Sequence, residues 1–183
     1  MTLATLRVSA DFTITKCDEP SIREALANGP IIKFSCDGTI TLTNSLTISD
    51  EIVFDASGHA VTISGGQKAR VFQVNTGVNL TLINLTVANG YSTNGGGGIY
   101  NDGGTLSLIN CTLTSNRAVG SSKDWVTASQ GLTGDNAFGG AVYNSGAVFA
   151  TNTTFTSNSA AGGSGGPAEG NSGDGGDAWG GAI

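Results

Sequence analysis

The feature that most restricts this chain is a phrase that it uses twice and opens a third time. Ile99-Tyr100-Asn101 returns as Val142-Tyr143-Asn144, and Asn110-Cys111-Thr112-Leu113-Thr114-Ser115-Asn116 returns as Asn152-Thr153-Thr154-Phe155-Thr156-Ser157-Asn158. Gly180-Gly181-Ala182-Ile183 then reopens Gly139-Gly140-Ala141-Val142. A unit of about 42 residues is too short to form a domain alone, so its apolar face must be covered by its neighbours.

A smaller offset lies beneath the larger one. Leu80 to Val87 aligns with Leu106 to Leu113 at an offset of 26, the size of one coil. The next step, from Asn110 to Asn152, grows to 42 because a stretch from Ser121 to Phe138 is inserted. A second insertion, Gly162 to Trp179, is nearly all Gly, Ser, Asp, Asn and Ala. From Ile31 onward short runs alternate apolar with polar residues: Ile32 and Phe34, Ile40 and Leu42, Leu46 and Ile48, Ile52 and Phe54, Val61 and Ile63, Leu80 and Leu82. Leu3 to Val8 and Phe12 to Thr15 alternate in the same way. An antiparallel sandwich would carry tight-hairpin signals, which are scarce here. Parallel coils explain both the alternation and the returning phrases, with each strand about 4.8 Å from its counterpart one turn later.

Composition excludes several classes of partner. Charged residues make up 12%, glycine occurs 29 times, and 14 acidic residues against 8 basic ones leave a formal charge of -6. Such a surface repels phosphate backbones, and no Lys/Arg stripe with interleaved aromatics reverses this, so nucleic acid is excluded as the expected partner. No window has the length of a membrane helix, which argues against a membrane-spanning segment. Met1-Thr2-Leu3-Ala4 carries neither a basic stretch nor a continuous apolar run, which leaves a mature domain or a cytosolic protein.

Ser21-Ile22-Arg23-Glu24 reads as a capping box at the start of a short helix that Asn28-Gly29-Pro30 ends, placed to cover the open end of a sheet stack. Cys17 and Cys36 bracket this helix, and Cys111 lies in a β segment. A Cys17–Cys36 disulfide, implying an oxidising compartment, stands against three small buried thiols. Asn84, Asn110 and Asn152 occupy equivalent repeat positions and are expected to be structural, as inward asparagines passing amide hydrogen bonds up the stack. The sequons that begin at these three positions follow from the repeat rather than from glycosylation.

Two phrases resemble those of bacterial surface and secreted right-handed parallel β-helix proteins, including the pectate-lyase-like and polymorphic outer-membrane protein repeat families. Cys17-Asp18, Ser21 to Leu26, Ile32-Lys33-Phe34, Cys36 and Gly38 to Leu42 resemble the segment that precedes many such helices. Gly97 to Asn101 with Asn116, repeated as Gly140 to Asn144 with Asn158, resembles the glycine-rich turn and Asn-terminated strand of the polymorphic repeats. The resemblance implies an all-β, right-handed parallel β-helix with a short N-terminal capping helix, and adds support to the Cys17–Cys36 pairing. It implies a single domain over 1–183, with a cap and lead-in at 1–38, coils over 39–183 and glycine-rich loops at 121–138 and 162–179. A secreted or cell-surface location follows from it. Function does not, because the fold hosts lyases, hydrolases, adhesins and stalks.

Candidate chemistry is sparse. Asp50, Asp55 and His59 are close in sequence, and Arg70 could lie one coil above, which makes these four the candidates for a catalytic or saccharide site. Trp125 and Trp179 fall in the two insertions, at positions taken as equivalent, and are the candidates for sugar stacking, with packing onto the wall as the favoured role. Asp174 and Asp177 are candidate calcium ligands in a glycine-rich acidic loop; no other cofactor is implied. Gly180 to Ile183 starts a further strand, so an exposed edge is expected there, belonging either to a longer adhesin or stalk or to a subunit that associates end to end. The reading is a structural or adhesive β-helix domain, self-associating or bound to surface glycans, with a polysaccharide-binding module or a polysaccharide lyase or hydrolase as the alternative.

Overall fold

The computed structural model describes residues 11–183, so the alternating stretch Leu3 to Val8 lies outside the described residues. A first strand, β1 (Phe12–Ile14), leads into the helix α1 (Glu19–Asn28). The first coil is β2 (Ile31–Phe34), β3 (Gly38–Thr41) and β4 (Leu46–Ile48), and the second is β5 (Ile52–Asp55), β6 (Val61–Ser64) and β7 (Phe72–Val74). The third coil adds a short strand: β8 (Asn79–Ile83), β9 (Leu85–Ala88), β10 (Tyr91–Ser92) and β11 (Ile99–Asn101). The fourth comprises β12 (Thr105–Ile109), β13 (Thr112–Thr114), β14 (Arg117–Val119), β15 (Ala137–Phe138) and β16 (Val142–Asn144). The fifth comprises β17 (Ala147–Thr151), β18 (Thr154–Thr156), β19 (Ser159–Ala161) and β20 (Ala178–Trp179).

Every strand pairs in parallel with its counterpart in the next coil, and the chain is a right-handed parallel β-helix with a capping helix. Its first wall is the six-stranded sheet β1-β2-β5-β8-β12-β17, its second the five-stranded β3-β6-β9-β13-β18, and its third the four-stranded β4-β7-β11-β16. Smaller sheets, β10-β14-β19 and β15-β20, widen the corner between the second and third walls. The period-2 alternation sends one residue set inward, so Ile32, Phe54, Leu82 and Leu108 stack in register beneath Ala150. The inward residues form one apolar core, with Phe54 packed against both Phe34 and Phe72. The offset of 26 is the register of β8 on β12, Leu80 lying beside Leu106. Outward on the second wall, Thr39, Thr62, Thr86, Thr112 and Thr154 form a column of β-branched side chains.

At the N-terminal end Asp18, rather than Ser21, caps the helix, and the Ser21 amide donates to Asp18 Oδ1 at 3.0 Å. Pro20 explains the shift: its ring needs no amide donor and presets φ for the first turn, so the helix begins before the expected box. Ile22 and Ala25 are buried, and Glu19 accepts from the Thr43 amide while Arg23 donates to the Asn44 carbonyl, which ties the helix to the first coil. Cys17 and Cys36 are joined in a disulfide, and Cys111 is a buried free thiol.

The two insertions are ordered arms. Four extended segments, 120–126, 130–136, 162–168 and 170–177, run side by side and exchange backbone hydrogen bonds, including Asp135 N–H to Ser121 O, Gly163 N–H to Asp135 O and Gly176 N–H to Gly163 O. Gly162 and Gly165 face one neighbouring segment, Gly163 and Gly166 face another, and Ser164 and Pro167 point to solvent. This threefold alternation is that of a polyproline II chain, whose three residues per turn present three faces. A Cβ on Gly163 would collide with the Ser121 carbonyl oxygen, so glycine there permits packing rather than mobility.

Candidate functional site

The corner between the second and third walls carries a groove of about 450 Å³ lined by residues 43–45, 68–70 and 91–94 of three successive coils. Asn116 anchors the backbone next to it. Its side chain is fully buried; Oδ1 accepts from Gly90 N–H at 2.8 Å, and Nδ2 donates to the Val87 carbonyl and to Asn158 Oδ1, each at 3.0 Å. This holds the backbone from which Tyr91 and Arg117 project, and the two occupy the same register position on β10 and β14, hence the same side of the sheet.

Arg70 ties the groove together. Its Nε donates to the Gly96 carbonyl at 2.9 Å, Nη1 to Gln73 Oε1 at 3.3 Å, and Nη2 to Gly95 O at 2.9 Å and Ser92 Oγ at 3.0 Å. Its guanidinium lies 4.6 Å from the Tyr100 ring centre, and Tyr100 stacks on Tyr143 at 4.7 Å. All these partners are neutral. Burial pushes the Arg70 pKa down, although guanidinium keeps its charge at any physiological pH. Lys16, Arg23, Lys33 and Lys123 each pair with a carboxylate, on Asp18, Glu19, Asp11 and Asp135. Among the described residues Lys68, Arg70 and Arg117 have no such pair.

The four candidates for a catalytic group lie on three different corners. Asp50 is exposed in the turn after β4, while Asp55 ends β5 and accepts from the Ser57 amide at 2.9 Å. His59 follows on the corner between the first and second walls, its Nδ1 3.5 Å from Asp37 Oδ2, and Arg70 stands on the next corner. Proximity in sequence becomes separation in space because a coil turns its chain through three walls in about two dozen residues. Asp37 is held below the usual carboxylate range, first by the Ala60 amide and then by His59.

Trp125 and Trp179 are not equivalent. Trp179 pairs with Phe138 and meets it edge-on at 5.5 Å, whereas Val126 is bridged to Ala168, which places Trp125 further out on the first arm. Both tryptophans are exposed. Asp174 and Asp177 lie exposed on the second arm, and among the described residues no three His, Cys, Asp or Glu side chains gather to hold a metal ion.

Asn84, Asn110 and Asn152 do share a corner, but they do not point inward. Their φ values of 55°, 53° and 48° are left-handed, and Asn110 and Asn152 are exposed. They turn the chain by backbone conformation, which asparagine adopts more readily than other residues with a Cβ. The inward amide ladders are Asn101–Asn144, 2.6 Å from Nδ2 to Oδ1, and Asn116–Asn158. Strict recurrence at the ends of short strands was the signal for them. The groove had no such signal, because its residues come from loops of unequal length. No protein-family model, curated protein or solved structure matches the chain. Among the described residues no helix is long and apolar enough to cross a membrane.

Proposed function

We propose that this chain is a structural and adhesive β-helix domain of a secreted or cell-surface protein that engages surface glycans along its side. The observation that carries the reading is the corner groove: a concavity lined by hydroxyl, amide and cationic side chains and mounted on a rigid stack. The Cys17–Cys36 disulfide supports an oxidising compartment. The resemblance of its phrases to pectate-lyase-like and polymorphic repeat proteins supports the same location. Binding along the side is favoured over end-to-end association, since α1 already occupies the end of the first coil and a second copy would have to displace it. The enzyme reading loses its main support with the dispersal of Asp50, Asp55, His59 and Arg70.

The test is a glycan array and cell-binding assay with the folded chain, run beside light scattering across protein concentration. Saturable binding to a subset of glycans by a monomer is the expected result. A folded chain that binds no glycan and no cell surface overturns it, and linear oligomers growing with concentration would replace it with end-to-end assembly.

A further inference from the structure

We propose that the corner groove binds a linear anionic polysaccharide, with carboxylate or sulfate groups on alternate sugars, through Lys68, Arg70 and Arg117 arranged around Tyr91. This rests on the adhesive reading above and names its ligand class and site. All 14 acidic residues fall within the described part of the chain, yet none lines the groove. Among the described residues the basic side chains divide sharply: Lys16, Arg23, Lys33 and Lys123 are neutralised by a carboxylate, whereas Lys68 and Arg70 line the groove and Arg117 stands beside Tyr91 on the next coil. On a chain of charge -6 that is a local inversion of sign, and it favours an anion over a neutral ligand.

The polymer character follows from the coil geometry. Lys68 and Arg70 belong to the second coil and Arg117 to the fourth, so the cations are separated along the axis by two coil steps, about 10 Å. That is roughly the length of two sugar units, so a chain lying along the axis meets a cation at every second sugar. Tyr91, between them, offers a half-exposed ring for a sugar face, and Thr93 offers an exposed hydroxyl for its hydroxyl groups. Arg70 is fixed in advance by its neutral partners, so little side-chain entropy is lost when an anion meets its remaining N–H.

The experiment measures binding of the whole chain to immobilised heparin and hyaluronate, with dextran, duplex DNA and inorganic sulfate as comparisons. Heparin or hyaluronate should bind saturably, and binding should weaken at least tenfold as salt is raised. The double variant Lys68→Gln/Arg117→Gln, both surface positions, should bind at least tenfold more weakly while its circular dichroism is unchanged. Lys16→Gln, a cation on the N-terminal cap, should bind as the parent does. Equal binding by the double variant overturns the proposal, as does retention of neither polysaccharide. It is also overturned if DNA binds as tightly, or if inorganic sulfate at matched charge competes as well as an oligosaccharide, which would reduce the site to one for free ions. Glycan-array or cell binding that survives in the double variant would sink this site and leave the adhesive reading standing; a chain that binds no glycan at all removes both.

Discussion

Asn116 is fully buried, and its amide bridges Gly90, Val87 and Asn158, so its removal strands polar groups that no water reaches. Asn116→Ala should cost about 2 kcal/mol, mainly for the orphaned Gly90 N–H, and urea denaturation would measure it. At Asn110 the argument concerns backbone rather than side chain. With φ at 53°, Asn110→Gly should shift stability by only a few tenths of a kcal/mol, whereas Asn110→Val should cost about 1–2 kcal/mol. If both cost the same, the side chain and not the left-handed turn is what matters. Asp18 gives the helix its sensitivity to acid. The Lys16 ammonium, then the Ser21 hydroxyl and amide, hold its carboxyl at about 2 against an ordinary 3.8. A depressed folded pKa means stability that is complete above 3.8 and lost as pH falls towards about 2. Melting temperature should therefore drop across that interval, and Asp18→Asn should flatten part of the drop.

At the scale of elements, the arms change what a glycine-rich insertion means. Composition alone reads 162–179 as a loose acidic loop, but the two arms supply each other's hydrogen-bond partners, with glycine wherever a neighbouring backbone passes. The order is mutual, so one added methyl should release both arms. Gly163→Ala should make trypsin cleave after Lys123 at least tenfold faster than in the parent, in which Lys123 is half-buried and paired with Asp135 at 2.6 Å. Equal cleavage rates would mean that the segments do not need this contact. The strands of the walls, by contrast, follow directly from their alternation, and nearly every inward residue expected from it is buried.

Across the whole molecule, each coil touches only its neighbours, so stability spreads along the axis and the ends are its weak points. The N-terminal end is secured twice, by the apolar face of α1 and by a disulfide closing a sequence separation of 19. Replacing both Cys17 and Cys36 by serine should cost about 3 kcal/mol in urea unfolding, the loop-closure entropy returned to the unfolded chain. The same one-dimensional plan disperses residues that are adjacent in sequence and gathers others that are far apart. Asp50, Asp55, His59 and Arg70 are sent to three corners, while Lys68 and Arg117 come to one.

The amino-acid sequence by itself determined the parallel coil, the register of Leu80 on Leu106, the capping helix and the recurrence that marks the stacked asparagines. These depend on local periodicity and on repeats, which a linear string displays. Tertiary structure alone decided which asparagines point inward: Asn84 turns a corner with a left-handed φ of 55°, whereas Asn101 ends β11 and is fully buried. It alone turned the glycine-rich insertions into arms, through contacts between segments about 40 residues apart. It alone assembled the cationic corner, because the loops that place Lys68, Arg70 and Tyr91 around one groove, with Arg117 beside Tyr91 on the next coil, differ in length from coil to coil, and no fixed spacing records where they come to lie.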